Sequence, residues 1–186
     1  MPEIFLEKTF NTFFFIMVKI EENFLETNLF KNIQELFLSK QIPWMYGEIL
    51  NEHELNSNTS HLDNYQFGHM LYTYDQPVSN HFQQIIPILN SINLSSVCKI
   101  KVNMNPRTSK IVKHGFHVDV PFKCKTSILY LNTNDGYTLF EDGTKVESVE
   151  NRLVTFDSHM KHTGTSCTNQ RVRLVMNINY IEFEPS

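Results

Sequence analysis

The segment "HGFHVDVPFK", residues 114–123, sets His114, His117 and Asp119 within six positions. An imidazole and a carboxylate at i and i+2 of an extended chain point to the same side, about 6.6 Å apart along it, near enough to share one ion. Alone the pair is weak, because eight histidines in 186 residues make one His-x-Asp a common accident. A third ligand would give it weight, and "FDSHMKHTGTS" offers two candidates, His159 and His162. Two imidazoles and one carboxylate on one face of an octahedron hold non-haem Fe(II) and leave three positions open. A three-residue offset puts His159 and His162 on opposite faces of a strand, and His162 is the preferred ligand. His114 lies an odd number of positions from His117, so the same alternation turns it away as a loop residue.

Arg173 follows, eleven residues past His162, in "RVRLVMNINY". There Val172, Leu174, Met176, Ile178 and Tyr180 share one face of a strand, and Arg171, Arg173, Val175, Asn177 and Asn179 share the other. In "KIKVNMN", Ile100, Val102 and Met104 likewise oppose Lys101, Asn103 and Asn105. Strands with one apolar and one polar side predict helices packed outside and a polar chamber within, or simply a solvated polar face. An arginine fork facing such a chamber would bind a carboxylate at two points. Arg171 is the rival for that role.

The elements that must position these groups fall in two parts. Residues 1–97 read as helical support and N-terminal strands. The spacing of Phe24, Leu25, Leu29, Phe30, Ile33, Leu36 and Phe37 predicts an amphipathic helix over 21–40. The stretch 42–49 reads as extended, 51–64 as a polar loop, and a second helix opens near Ser79 or Asn80, with Pro87 kinking or dividing it. Residues 98–181 alternate with short turns, which predicts strands at 98–105, 116–120, 126–132, 137–140, 145–149, 153–156, 161–165 and 171–181. The whole, 1–186, reads as a single domain of mainly β class with flanking helices.

His117-x-Asp119, a histidine at 162 and Arg173-x-Val175 in the last of eight strands resemble the Fe(II)/2-oxoglutarate-dependent oxygenases, in their prolyl-4-hydroxylase-like branch. The resemblance covers about residues 98 to 181, is carried by "HVDVP", "TSILYLNTNDGYTLFEDG" and "RLVTFDSHMKHTG", and extends to the small versions encoded by marine tailed phages. It implies a double-stranded β-helix, the jelly-roll or cupin-like barrel of eight core strands with helices outside. It implies Fe(II) on His117, Asp119 and His162, with 2-oxoglutarate and O2 as cosubstrates. Arg173 would pair with the distal carboxylate of 2-oxoglutarate and the Tyr130 hydroxyl would help hold it. Asn105 falls roughly where relatives carry a tyrosine, and Asn177 where some carry threonine. The implied reaction is hydroxylation of a C–H bond, with a prolyl residue of a peptide or protein as the leading substrate and a small molecule as the other. The chain departs from the family at Gly136-Tyr137, where relatives often carry two glycines. Asn179 stands where the nucleic-acid demethylase branch has a second arginine, and the presence of Asp119 speaks against the halogenase variant.

A net charge of −4 argues against a general nucleic-acid surface, although the run Lys99, Lys101, Arg107, Lys110, Lys113 would form a basic mouth if it lined the site and a solvated loop if it did not. Three cysteines without CxxC spacing exclude a disulfide framework or zinc knuckle and suit a reducing cytoplasm, that of a host if the chain is phage-encoded. The apolar run 10–20 is too short and too interrupted to span a bilayer, so no membrane role is expected. Residues 1–16 read as an extension ahead of a natural start at Met17, or as a mobile arm. Alanine is absent and asparagine abundant, so single asparagines carry little weight by themselves. The rival functional class is a non-catalytic barrel that binds a metal or small acid, with a host-interaction role.

Overall fold

Alternation of apolar and polar residues over 172–182 suits a strand with two different neighbours. In the computed structural model, which describes residues 18–49 and 61–183, this run is the middle strand of the larger sheet. In chain order the elements are β1 (Lys19–Glu21), α1 (Thr27–Leu38), β2 (Met45–Glu48), β3 (Tyr65–Thr73), β4 (Gln76–Pro77), α2 (Phe82–Asn90), β5 (Leu94–Pro106), β6 (Lys125–Tyr130), β7 (Tyr137–Phe140), β8 (Lys145–Glu147), β9 (Leu153–Asp157), β10 (His162–Gly164) and β11 (Val172–Glu182). The larger sheet runs β1-β9-β6-β11-β5-β3-β2, with β4 beside β3, and the smaller one runs β10-β7-β8. Every pairing among these strands is antiparallel.

The chain is thus mostly β with two helices, in the antiparallel manner of a jelly-roll. The strands form two sheets that do not close on one another, so the jelly-roll character is present without the expected barrel of eight core strands. Two predicted features change with it. Residues 116–120 form no strand: only His117 is bridged, and Asp119 sits at a bend. Conversely β3 was not expected. Its half-buried pattern, broken by Gly68 and His69, lacks the alternation that marks a strand in sequence.

Helix α1 starts where the Glu26 carboxylate accepts from the Asn28 and Leu29 amides, at 2.9 and 3.1 Å, satisfying donors that the first turn leaves unpaired. Its apolar stripe, Phe30, Ile33 and Phe37, is buried. Helix α2 continues through Pro87 and buries Ile85 and Ile88. Both helices pack on the outer face of the larger sheet, against Ile100, Val102, Leu174, Met176, Ile178 and Tyr180. A second apolar cluster, Ile128, Tyr130, Phe140, Val146, Val154, Phe156 and Val175, lies between the two sheets. It forms the floor on which the site stands. Among the described residues no helix is long and apolar enough to cross a membrane. The readings made for residues 1–16 and 51–60 lie outside the described residues.

Candidate functional site

The loop between β5 and β6 is held to the first residue of β10 by a two-bond bridge. The His117 amide donates to the His162 carbonyl at 2.9 Å, and the His162 amide donates to the His117 carbonyl at 3.0 Å. This bridge does the work assigned to the predicted strand, and it sets the two imidazoles 5.1 Å apart, centroid to centroid. Each Nδ1 meets a main-chain carbonyl, that of Gly115 at 3.1 Å for His117 and that of Met160 at 3.0 Å for His162. A carbonyl can only accept, so Nδ1 carries the proton in both rings and Nε2 keeps its lone pair.

Both Nε2 atoms face the Asp119 carboxylate, His117 to Oδ1 at 3.8 Å and His162 to Oδ2 at 3.7 Å. Such separations are too long for hydrogen bonds. They fall within the span of about 4.2 Å open to two ligand atoms that each lie about 2.1 Å from one ion. All three ligand atoms lie within 4.8 Å of one another, the one such group found among the described residues. The His162 ring is buried against Phe156 and Phe140, with centroids 4.8 and 6.1 Å away. Burial pulls its pKa below the ordinary value against the opposing pull of Asp119, which favours the neutral form that a metal needs.

The triad opens on a cavity of about 220 Å³. Its main wall follows from register: β11 pairs with β5 so that Arg173 faces Asn105, Val175 faces Asn103, Asn177 faces Lys101 and Asn179 faces Lys99. All eight residues line the cavity, together with Thr138, Gly164 and His114. Arg173 is 3% exposed. Its Nε donates to Ser148 Oγ at 2.9 Å and its Nη2 to Thr138 Oγ1 at 3.1 Å. Tyr130 donates its hydroxyl to the same Thr138 oxygen at 2.7 Å, and its ring centroid lies 5.6 Å from Arg173 Cζ. Burial raises the Tyr130 pKa, with Arg173 partly offsetting, so the phenol stays a donor. Among the described residues no carboxylate pairs with Arg173, and a buried cation without a counter-charge is costly unless a ligand supplies one. Two glycines keep space for it. A Cβ on Gly136 would stand 2.7 Å from Arg173 Cδ and 2.6 Å from the Ser166 carbonyl, and one on Gly164 would stand 3.3 Å from Arg173 Nη1.

With this geometry in place, the resemblances to solved structures can be weighed. A 2OG-Fe(II) oxygenase family oxidoreductase from Burkholderia pseudomallei matches with a TM-score of 0.65 at 10% identity, covering 91% of this chain and 87% of that one. A prolyl-4-hydroxylase from Pseudomonas putida matches at 0.58 and 15% identity, covering 90% and 94%. A Trichoplax adhaerens prolyl hydroxylase, solved in complex with a hypoxia inducible factor oxygen degradation domain peptide fragment, matches at 0.60 and 16% identity, covering 89% and 83%. The fold is shared with 2OG-Fe(II) oxygenases. No family model and no curated protein matches the sequence.

His117, Asp119 and His162 come together, and His159 lies exposed in the turn before β10. Arg173 is on the cavity wall, whereas Arg171 is exposed just ahead of β11. Asn105 is buried on the wall, and Asn177 lines it with Nδ2 3.4 Å from Asp119 Oδ2. Tyr130 does not reach the cavity; it stands behind Thr138, fully buried. His114 corrects the alternation argument. It is 3% exposed and on the cavity wall, because the loop is not a strand and parity does not apply. Both of its ring nitrogens are buried without a partner, and burial, with Arg173 and His117 nearby, lowers its pKa to about 4. Thr138 and Ser148 were missed as well. Nothing in "GYTLF" or "KVESVE" distinguishes them until the pairing of β7 with β8 brings them beneath Arg173.

Proposed function

We propose that this protein is an Fe(II)- and 2-oxoglutarate-dependent dioxygenase that hydroxylates a C–H bond, with a prolyl residue in a peptide or protein as the substrate and succinate and CO2 as co-products. One observation carries the reading: a single cavity is lined at once by a His-Asp-His ligand set and by a buried guanidinium with no carboxylate partner among the described residues. Two neutral imidazoles and one carboxylate suit Fe(II) and leave positions for a bidentate cosubstrate and oxygen. A dicarboxylate is what the distant arginine lacks.

In this reading His117, Asp119 and His162 hold the metal. The carbonyls of Gly115 and Met160 fix the two rings by accepting from Nδ1, and such outer partners set ligand orientation and basicity. Asn177 steadies the Asp119 carboxylate from β11. Arg173 and Thr138 receive the far carboxylate of 2-oxoglutarate, with Tyr130 holding Thr138 in place and Asn105 beside them. Ile128 and Val175, from the apolar floor, limit water around the metal. Fe(II) with 2-oxoglutarate and O2 supplies the oxidising power for the hydroxylation. The peptide part of the proposal is supported by the peptide held by the Trichoplax adhaerens protein. The resemblance to phage-encoded relatives, and with it a host cytoplasm, rests on the quoted sequence segments.

The test is direct. Purified protein given Fe(II) and 2-oxoglutarate without oxygen should develop a weak visible charge-transfer band, and on admission of oxygen it should release succinate. Metal binding without any succinate would instead place the protein among non-catalytic metal-binding relatives of the fold.

A further inference from the structure

One wall of the cavity carries charge that the proposed cosubstrate does not use. Lys101, on β5, faces Asn177 across the ladder, and Asn177 touches Asp119. Directly opposed residues in such a ladder have Cβ atoms about 5 Å apart, so the Lys101 stem starts beside Asn177, and Asp119 is among the charges that act on its ammonium. Lys99, two residues earlier, spends its ammonium on the Asp119 main-chain carbonyl at 3.5 Å. Lys101 makes no hydrogen bond or ion pair among the described residues; burial and the neighbouring Lys99 act against its charge, and Asp119 acts in its favour without pairing with it. The end of its stem lies over Gly68 of β3, where an added Cβ would stand 2.5 Å from Lys101 Cε and 3.2 Å from Nζ and would displace it.

The charges around the cavity point the same way. Its lining carries Lys99, Lys101 and Arg173 against Asp119, with Glu48 exposed at the rim. A divalent metal and a dianionic cosubstrate cancel one another, so positive charge is left over beside the open metal positions. Buried polar atoms add a second, independent sign of a ligand. Asn103 Oδ1 and Asn177 Oδ1 flank this charge without any partner, and buried acceptors are normally satisfied.

From the oxygenase reading just given, we propose that the substrate presents an anionic carboxylate to Lys101, with N–H or O–H donors of the same molecule bonding Asn103 and Asn177. The carboxylate belongs either to a free amino acid or to an acidic side chain next to the hydroxylated residue in a peptide. At this depth an ammonium–carboxylate pair is charge-assisted and poorly screened, and an uncharged isostere leaves the lysine unpaired.

The experiment is calorimetric titration of the full protein, loaded with Fe(II) and 2-oxoglutarate in the absence of oxygen, with matched probes. L-proline is compared with L-prolinamide, and acetyl-Pro-Glu-amide with acetyl-Pro-Gln-amide. In at least one pair the acid should bind about tenfold or more tightly than its amide, and the responding pair identifies the source of the carboxylate. Lys101→Met should abolish the difference and Lys101→Arg should retain most of it. Gly68→Ala, which displaces the lysine stem without removing its charge, should reduce it. Equal responses to acid and amide in both pairs, including no response to either, would overturn the inference. Succinate release by the wild-type protein from 2-oxoglutarate alone tests the oxygenase reading separately, so the two can fail independently.

Discussion

The two faces of β11 divide the molecule's labour. On one, Leu174, Met176, Ile178 and Tyr180 pack under the helices, each nearly or fully inaccessible. On the other, Arg173, Val175, Asn177 and Asn179 line the cavity, and the polar three are buried as well or half-buried. The faces therefore differ little in exposure. They differ in what their neighbours satisfy. Among the described residues the apolar face packs on apolar partners, whereas the cavity face leaves Asn177 Oδ1 without a partner and Arg173 without a counter-charge. Burial alone does not distinguish the two faces; unsatisfied polar burial on the cavity side does.

Substitutions on the two sides should consequently separate stability from activity. The largest effect belongs to Asp119→Ala, which removes a metal ligand and should cut succinate formation by more than about 100-fold, beyond the loss typical of outer partners, while the thermal midpoint moves less than for a core truncation. Leu174→Ala should show the opposite pattern. With the side chain wholly buried, it should cost about 2–5 kcal/mol in urea unfolding and leave turnover per folded molecule near wild type. Loss of turnover with unchanged stability would break the division between the faces.

A pH effect sharpens the same contrast. His114 is neutral in the folded metal-free protein, with its pKa lowered to about 4. The unfolded chain takes up a proton near the ordinary value of about 6.5, so this stability is fully present above that pH and is lost as pH falls towards 4, by about 3 kcal/mol. Unfolding titrations at pH 7 and pH 4.5 should show this loss, and His114→Gln should lack it. Smaller still is Arg173→Ala, which should raise the 2-oxoglutarate requirement about 10- to 100-fold, as the loss of a charge-assisted pair implies. An unchanged requirement would remove that role from Arg173.

Much of the fold was legible because periodicity carries it. The apolar stripe of α1, the faces of β5 and β11, and the short strands after residue 125 all follow from residue spacing. Where spacing was broken, the reading failed: β3 hides behind Gly68 and His69, and the ligand-bearing loop looked like a strand because its residues alternate. The candidate site was legible in its ionisable residues. It was not legible in His114, whose direction depends on that loop, nor in Thr138 and Ser148, which become neighbours of Arg173 through pairings between the short strands. Lys101 shows the same limit, since a basic run reads as a solvated loop until register turns two of its lysines inward.

The central claim is that one metal is held by His117, Asp119 and His162, and the histidine pair in "SHMKH" tests it most directly. Iron content should be measured after anaerobic loading with Fe(II), alongside succinate release, in the wild type, His162→Ala and His159→Ala. The account predicts one Fe(II) per chain and full succinate release in the wild type and in His159→Ala, and neither in His162→Ala. Iron and succinate retained by His162→Ala but lost from His159→Ala would contradict it.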